Sequence, residues 1–215
     1  MSVVVTNTTS TVTCPECSSV IVFRFEGTAV AICEQCRAQV TRGGIRKGNL
    51  VARPLEDRCR LRIGTTSKFR QKKYTITGRM RFIFENSGYV NLWHAVSEGA
   101  GHNWIAESYH TYALLHEDEP GYPLSHLLLL KPGERFTANS IHYYLTSSET
   151  KTDVQGEGEL PDEVFEEKLM YVIGSSTGDD VIHYLVFNKK EYRALRGENL
   201  SFVRLNFENT RTPNA

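Results

Sequence analysis

Four cysteines constrain this chain more than any other feature: Cys14 and Cys17, then Cys33 and Cys36, form two C-x-x-C pairs separated by fifteen residues. A soft divalent cation such as Zn²⁺ takes four donors at tetrahedral corners, and two tight turns that each offer a pair of thiolates supply them. One structural Zn²⁺ per chain is therefore expected. With every coordination position filled by protein sulfur, such an ion stabilises a fold and leaves no place for water or substrate. Neither pair reads as the opening turn of a helix, which sets aside a thioredoxin-like redox dithiol. β-rich runs at residues 19–25 and 28–32, joined at Glu26 and Gly27, place a hairpin between the two cysteine turns, the layout of a zinc ribbon. Reduced thiols at metal-ligand spacing suit a reducing compartment better than a disulfide framework does. Cys59 is left over, and its expected role is a buried small hydrophobe, although Arg58 and Arg60 flank it.

Gly43, Gly44, Gly48 and Pro54 lie among basic residues and read as a linker. Residues 1–50 are accordingly expected to be a zinc-ribbon module with a basic linker, and residues 51–215 a larger β-rich domain. The clearest periodicity runs through residues 73–85, where Tyr74, Ile76, Gly78, Met80, Phe82 and Phe84 share one parity. Thr75, Thr77, Arg79, Arg81 and Glu85 share the other. A period of two predicts a long strand with one buried and one wet face. Further strands are expected at residues 89–96, 103–108, 111–115, 126–130, 141–146, 169–173, 181–187 and 200–207. Many short strands between turn signals give a mainly β fold, a barrel or sandwich with little helix. Short helices are expected only at 162–168 and 189–195.

Lysine plus arginine and aspartate plus glutamate number 25 each, so no overall field draws the chain to nucleic acid or anionic lipid. The densest apolar run, residues 126–130, is far too short to span a bilayer, and the first residues lack a secretory signal. The expectation is a cytoplasmic protein. Charge is unevenly spread, however. Arg58, Arg60, Arg62, Arg70, Lys72, Lys73, Arg79 and Arg81 form a basic stretch interleaved with Phe69, Tyr74 and Phe82, a candidate track for nucleic-acid phosphate. The C-terminal part is acidic, through Glu149, Asp153, Glu157, Glu159, Asp162, Glu163 and their neighbours, so the two blocks are expected to screen each other in part. Glu157 and Glu159 lie two apart around a shaped turn, Trp93 and Trp104 lie in strand-like runs, and these four mark a candidate ligand or partner surface. No H-E-x-x-H, nucleophile elbow, P-loop or dinucleotide fingerprint occurs, and no enzyme is expected.

The order of elements resembles a bacterial family catalogued as domain of unknown function 4178. The resemblance rests on the cysteine pairs, Arg62-Ile63-Gly64-Thr65-Thr66, Tyr74-Thr75-Ile76-Thr77-Gly78-Arg79, Trp93, Trp104-Ile105, and Gly156-Glu157-Gly158-Glu159-Leu160-Pro161. It implies an N-terminal zinc ribbon ahead of a β-rich domain, no enzymatic activity, and a setting near membrane-stress and polyamine-synthase-like proteins. Two departures stand out. Ser18 and Arg37 follow the second cysteine of each pair, where such turns usually carry glycine, and His94-Ala95 stands where an acidic residue is common after the first tryptophan. The function expected is a non-enzymatic, zinc-containing binding or adaptor protein that works through protein-protein recognition, accessory to a membrane-stress or polyamine-related system. The alternative is nucleic-acid binding between Arg58 and Arg81, and behind it stands an enzyme that uses Glu157 or Glu159 with a histidine.

Overall fold

Short runs of apolar and β-branched residues between turns, some alternating with a period of two, send most described segments into a sheet. The computed structural model describes residues 9–47, 59–85, 88–97, 101–108, 111–161, 170–187 and 190–212. The N-terminal strands are β1 (Ser10–Thr13), β2 (Val20–Phe23), β3 (Val30–Ile32), β4 (Gln39–Thr41) and β5 (Arg46–Lys47). β2 pairs with β1 and β3 with β4, so each cysteine turn closes its own hairpin. This corrects the expected hairpin between the two turns. The cause is the turn geometry, since each C-x-x-C segment reverses the chain within four residues and brings its flanking strands together first. Ile21, Phe23, Ala31, Ala38 and Val40 bury a small core against the cysteines.

The larger unit begins with β6 (Thr66–Phe69), β7 (Lys72–Phe84), β8 (Gly88–Ser97), β9 (Gly101–Ser108) and β10 (Thr111–Asp118). It continues with α1 (Leu124–Leu127), β11 (Arg135–Ala138), β12 (Ile141–Leu160), β13 (Met170–Ser175), β14 (Asp180–Val186) and β15 (Tyr192–Leu200). The strand order β12-β13-β14-β15-β10-β9-β8-β7 returns to β12, so eight antiparallel strands form a ring. β12 closes it with its two halves in turn: residues 144–150 pair with β13 and residues 151–158 with β7. Such a strand changes neighbours at a bend, and here the bulge lies between Lys151 and Asp153. Met80, Phe82, Leu92, Trp104, Leu115, Tyr171, Leu185 and Leu195 fill the interior. Two further apolar layers cover the outside. One packs α1 and β11 over β13, β14 and β15, and the other packs residues 59–61 and 200–207 over β7, β8 and β9.

A sheet buried on both faces changes the reading of β7. A bulge between Ile76 and Gly78 flips the parity, so Tyr74 and Ile76 face the outer layer whereas Met80, Phe82 and Phe84 face the interior. Thr77, Arg79 and Arg81, expected on a wet face, are 1%, 1% and 3% exposed. Residues 126–130 are not a strand. A helical turn follows Pro123 and buries Leu124 and Leu127, three apart, leaving Leu129 76% exposed. Residues 201–207 turn back instead of continuing β15, because Phe202 and Phe207 pack with tilted rings against Tyr112 of the outer layer. The expected helix at 189–195 yields to β15 from Tyr192 onward, a strand paired on both edges. The expected helix at 162–168 and the expected boundary near residue 51 lie outside the described residues. Among the described residues no helix is long and apolar enough to cross a membrane.

Candidate metal centre and its junction with the barrel

Each cysteine turn repeats one hydrogen-bond pattern. Ser18 N–H donates to Cys14 C=O and Arg37 N–H to Cys33 C=O, both at 2.9 Å. Cys14 N–H donates to Ser19 C=O at 2.9 Å and Cys33 N–H to Ala38 C=O at 2.8 Å. Ser18 and Arg37 take φ of 61° and 70°, the left-handed conformation that glycine adopts without penalty. The turns thus have the shape glycine would give them, at the steric cost of two β-carbons.

The four sulfurs come within 4.8 Å of one another. Cys14 and Cys36 sulfurs lie 3.5 Å apart, and those of Cys17 and Cys33 3.7 Å. A tetrahedral ion with metal–sulfur bonds of about 2.3 Å has sulfur–sulfur edges of about 3.8 Å, whereas a disulfide is about 2.05 Å. The donor set and its edges therefore fit Zn²⁺, with Cys14, Cys17, Cys33 and Cys36 as the residues that would hold it. Burial, then the neighbouring sulfurs, push the Cys36 thiol up to about 12. Burial also raises Cys33, but the Cys36 N–H, the Ser19 hydroxyl and the Gln35 N–H bring it down to about 6. The field of a dication favours the thiolate at all four.

Glu159 joins this centre to the barrel. β3 pairs with the end of β12 through Ala31 with Glu159 and Val30 with Leu160. The Glu159 carboxyl group, 4% exposed, accepts from Arg24 N–H at 2.9 Å, Phe25 N–H at 3.2 Å and Thr28 Oγ1 at 2.9 Å. These donors form the turn between β2 and β3, so a barrel residue caps a ribbon turn. Arg42 braces the same turn: its Nε donates to Thr28 C=O at 2.7 Å, and its guanidinium also reaches Phe25 C=O. Arg37 donates to Gly156 C=O on β12. A glycine at 37 would relax the turn and lose that tether.

Beneath the junction, Gly78 and Gly158 are register partners. A β-carbon on Gly78 would lie 2.4 Å from Glu159 O, and one on Gly158 2.4 Å from Thr77 O. Only glycine permits β7 and β12 to approach so closely. The segment from Gly156 to Leu160, expected as a turn, is strand. Thr77 Oγ1 donates to Glu159 C=O at 2.9 Å, which leaves its oxygen to accept from His94 Nδ1 at 2.6 Å; His94 Nε2 then accepts from His102 Nδ1 at 3.0 Å. Burial, followed by the nearby His102, pulls His94 down to about 3 and keeps it neutral.

The other sequence candidates disperse. Glu157 pairs with Arg79 at 2.6 Å, away from the contacts of Glu159, so the two carboxyl groups do not form one site. Trp93 is fully buried in the outer layer, with Arg79 stacked 4.5 Å from its ring centroid. Trp104 lines an interior cleft of about 210 Å³ together with His102 and Pro161. Of the expected nucleic-acid contacts, Arg79 and Arg81 are buried, Arg81 donating to Asn91 Oδ1 at 2.8 Å. Arg60 stacks on Phe202 at 3.8 Å, Arg62 bonds Asn209, and Arg70 pairs with Glu198 at 2.8 Å. Lys72 and Lys73 remain exposed, and Arg58 lies outside the described residues. The cross-strand pair of Arg79 with Glu157 realises part of the expected screening between basic and acidic blocks.

Sequence reasoning missed Glu107. Its carboxyl group, 5% exposed, accepts from Trp93 Nε1 at 2.8 Å, Asn91 Nδ2 at 3.1 Å, Tyr112 OH at 3.2 Å and the Cys59 thiol at 2.7 Å. Burial and then the Glu107 charge push the Cys59 thiol up, opposite to activation. The available signal was parity: Glu107 shares its face of β9 with buried Ile105. Comparisons with protein-family models, curated proteins and solved structures return no match.

Proposed function

We propose that this is a non-enzymatic, zinc-containing binding or adaptor protein whose ribbon and barrel together offer a strand edge to an extended segment of a protein partner. One observation carries the reading. Among the described residues β2 pairs only with β1, and its other side lies along a cleft of about 250 Å³. Its lining includes Val20 and Val22 of β2, Ala31 and Ile32 of β3, and Ile63 and Gly158 of the barrel. Val20 is 69% exposed and Ile63 37%. A strand edge offers backbone donors and acceptors to an incoming strand, and flanking apolar side chains select alternate residues of it. Zn²⁺ would hold the β2 hairpin rigid, so that binding costs little ordering. The resemblance to domain family 4178 suggests a partner in a membrane-stress or polyamine-related system.

The test is capture from an extract of the native organism on the full zinc-loaded chain, at two salt concentrations, with and without nuclease. Protein partners should survive nuclease and be lost in Val20→Lys and Ile63→Lys. Partners indifferent to both substitutions would refute the strand-edge reading, and partners removed by nuclease would favour nucleic acid instead.

A further inference from the structure

The barrel has a second cleft at the end away from the ribbon, where β9 and β15 finish and β10 and β14 begin. It measures about 660 Å³, within the range of small-molecule sites. Residue size creates the room. Interior positions at the ribbon end carry Trp104, Leu92, Leu185 and Leu195, whereas Val90, Ala106, Ala113 and Val181 line this end. No Asp, Glu, Lys or Arg lies among the described lining residues; the polar part consists of hydroxyl groups, Asn199 and His183.

His183 is oriented from behind. Tyr171, 1% exposed, places its hydroxyl 2.6 Å from His183 Nδ1, the one hydrogen bond of this hydroxyl among the described residues. A buried phenol donates where it can, so Nδ1 accepts and the ring proton sits on Nε2. Among the described residues Nε2 has no hydrogen-bond partner. The residue is 4% exposed and lines the cleft. The ring therefore turns a fixed N–H donor toward the open space.

We propose that this cleft binds a neutral small molecule with an apolar body and a carbonyl oxygen, which accepts from His183 Nε2–H while the body rests on Val90, Ala106, Ala113 and Val181. An uncharged lining disfavours ions, which would lose hydration without a counter-charge. Burial holds His183 neutral, its pKa drawn down to about 3, so the ring recognises a carbonyl as a donor and not an anion as a cation.

The probe is Prodan, a neutral naphthyl ketone whose emission shifts to the red when its carbonyl accepts a hydrogen bond, titrated into the full zinc-loaded protein. Saturable binding with a red-shifted carbonyl component is expected. Ala113→Leu, which fills the cleft and leaves the His183 ring in place, should weaken binding by about tenfold or more, equivalent to ~1.4 kcal/mol. His183→Phe should remove the red shift. Should either variant fail to fold by circular dichroism, ring ¹⁵N resonances of the unaltered protein decide: His183 Nε2 should move on saturation while His94 stays fixed. Absence of saturable binding, affinity unchanged by a folded Ala113→Leu, or an unmoved His183 resonance would each overturn the proposal.

Discussion

Glu159→Gln isolates the contact between the ribbon and the barrel, because it keeps the side-chain shape and changes only charge and one acceptor. Oε2 serves two donors, Phe25 N–H and Thr28 Oγ1, and Oε1 serves Arg24 N–H. The best placement of the amide keeps its oxygen on the first two and turns its NH₂ toward Arg24 N–H, donor against donor. Hydrogen bonds to a charged group contribute about 1.5–3 kcal/mol, so losing one and weakening two costs roughly 3 kcal/mol. Removing a buried charge returns part of this, leaving a net of about 2 kcal/mol, or roughly thirtyfold in the opening of the turn. The readout is amide hydrogen exchange at Arg24 and Phe25, with zinc transfer to a chromophoric chelator as a second measure. Both should accelerate, while β9 and β10 keep their protection. In combination with Thr28→Val the two substitutions should be non-additive by about 1 kcal/mol, since Glu159→Gln weakens the bond that Thr28→Val removes. Exchange at Arg24 and Phe25 within about twofold of the unaltered protein would show that the cap does not hold the turn, and equal acceleration in β9 would show that the effect is global.

Elemental analysis should find one zinc per chain, and Cys33→Ser should abolish it and unfold residues 10–47, whose folding depends on roughly 10–16 kcal/mol of metal binding; an intact ribbon after full chelation would refute the centre. Ser18→Gly should stabilise the ribbon by about 1 kcal/mol through relief of left-handed strain, whereas Arg37→Gly should gain less because it also severs the bond to Gly156 C=O; equal gains in chelator-release rate would refute the tether. His94 and His183 are held neutral with pKa near 3, against about 6.5 unfolded, so their contribution is complete above pH 6.5 and is lost as pH falls toward 3. Each should take about 1.4 kcal/mol of stability per pH unit in that window, read as a falling urea midpoint, while both rings keep neutral NMR shifts in the folded protein at pH 4.5. Rings that protonate in the folded state near pH 6 would refute it.

The four-cysteine cluster and the β class were legible from sequence because both depend on local spacing. C-x-x-C turns reverse within four residues whatever surrounds them, and period-two alternation survives in residues 141–152 of β12. Element boundaries failed where a segment's partner lay far away in sequence. The Leu run at 126–130 became a helical turn because Pro123 starts it and Phe136 and Tyr184 receive its buried side chains. The paired glutamates looked like one site because two residues apart on a strand means one face, but Gly158 takes a φ of 76° between them and sends each to a different partner.

The chain alone thus determined how its first forty residues gather four sulfurs, since that depends on spacing and donor chemistry. Tertiary structure decided which charges are available to a partner. Burial of both faces of β7 takes Arg79 and Arg81 out of solvent; Trp93 and Asn91 face them across the β7–β8 hairpin, but Glu157 of β12 meets Arg79 only where the ring closes. The same closure decides where empty space remains. Whether alanines at 106 and 113 leave a cleft or are filled from across the barrel depends on strands more than sixty residues downstream, a long-range distance that no local pattern encodes.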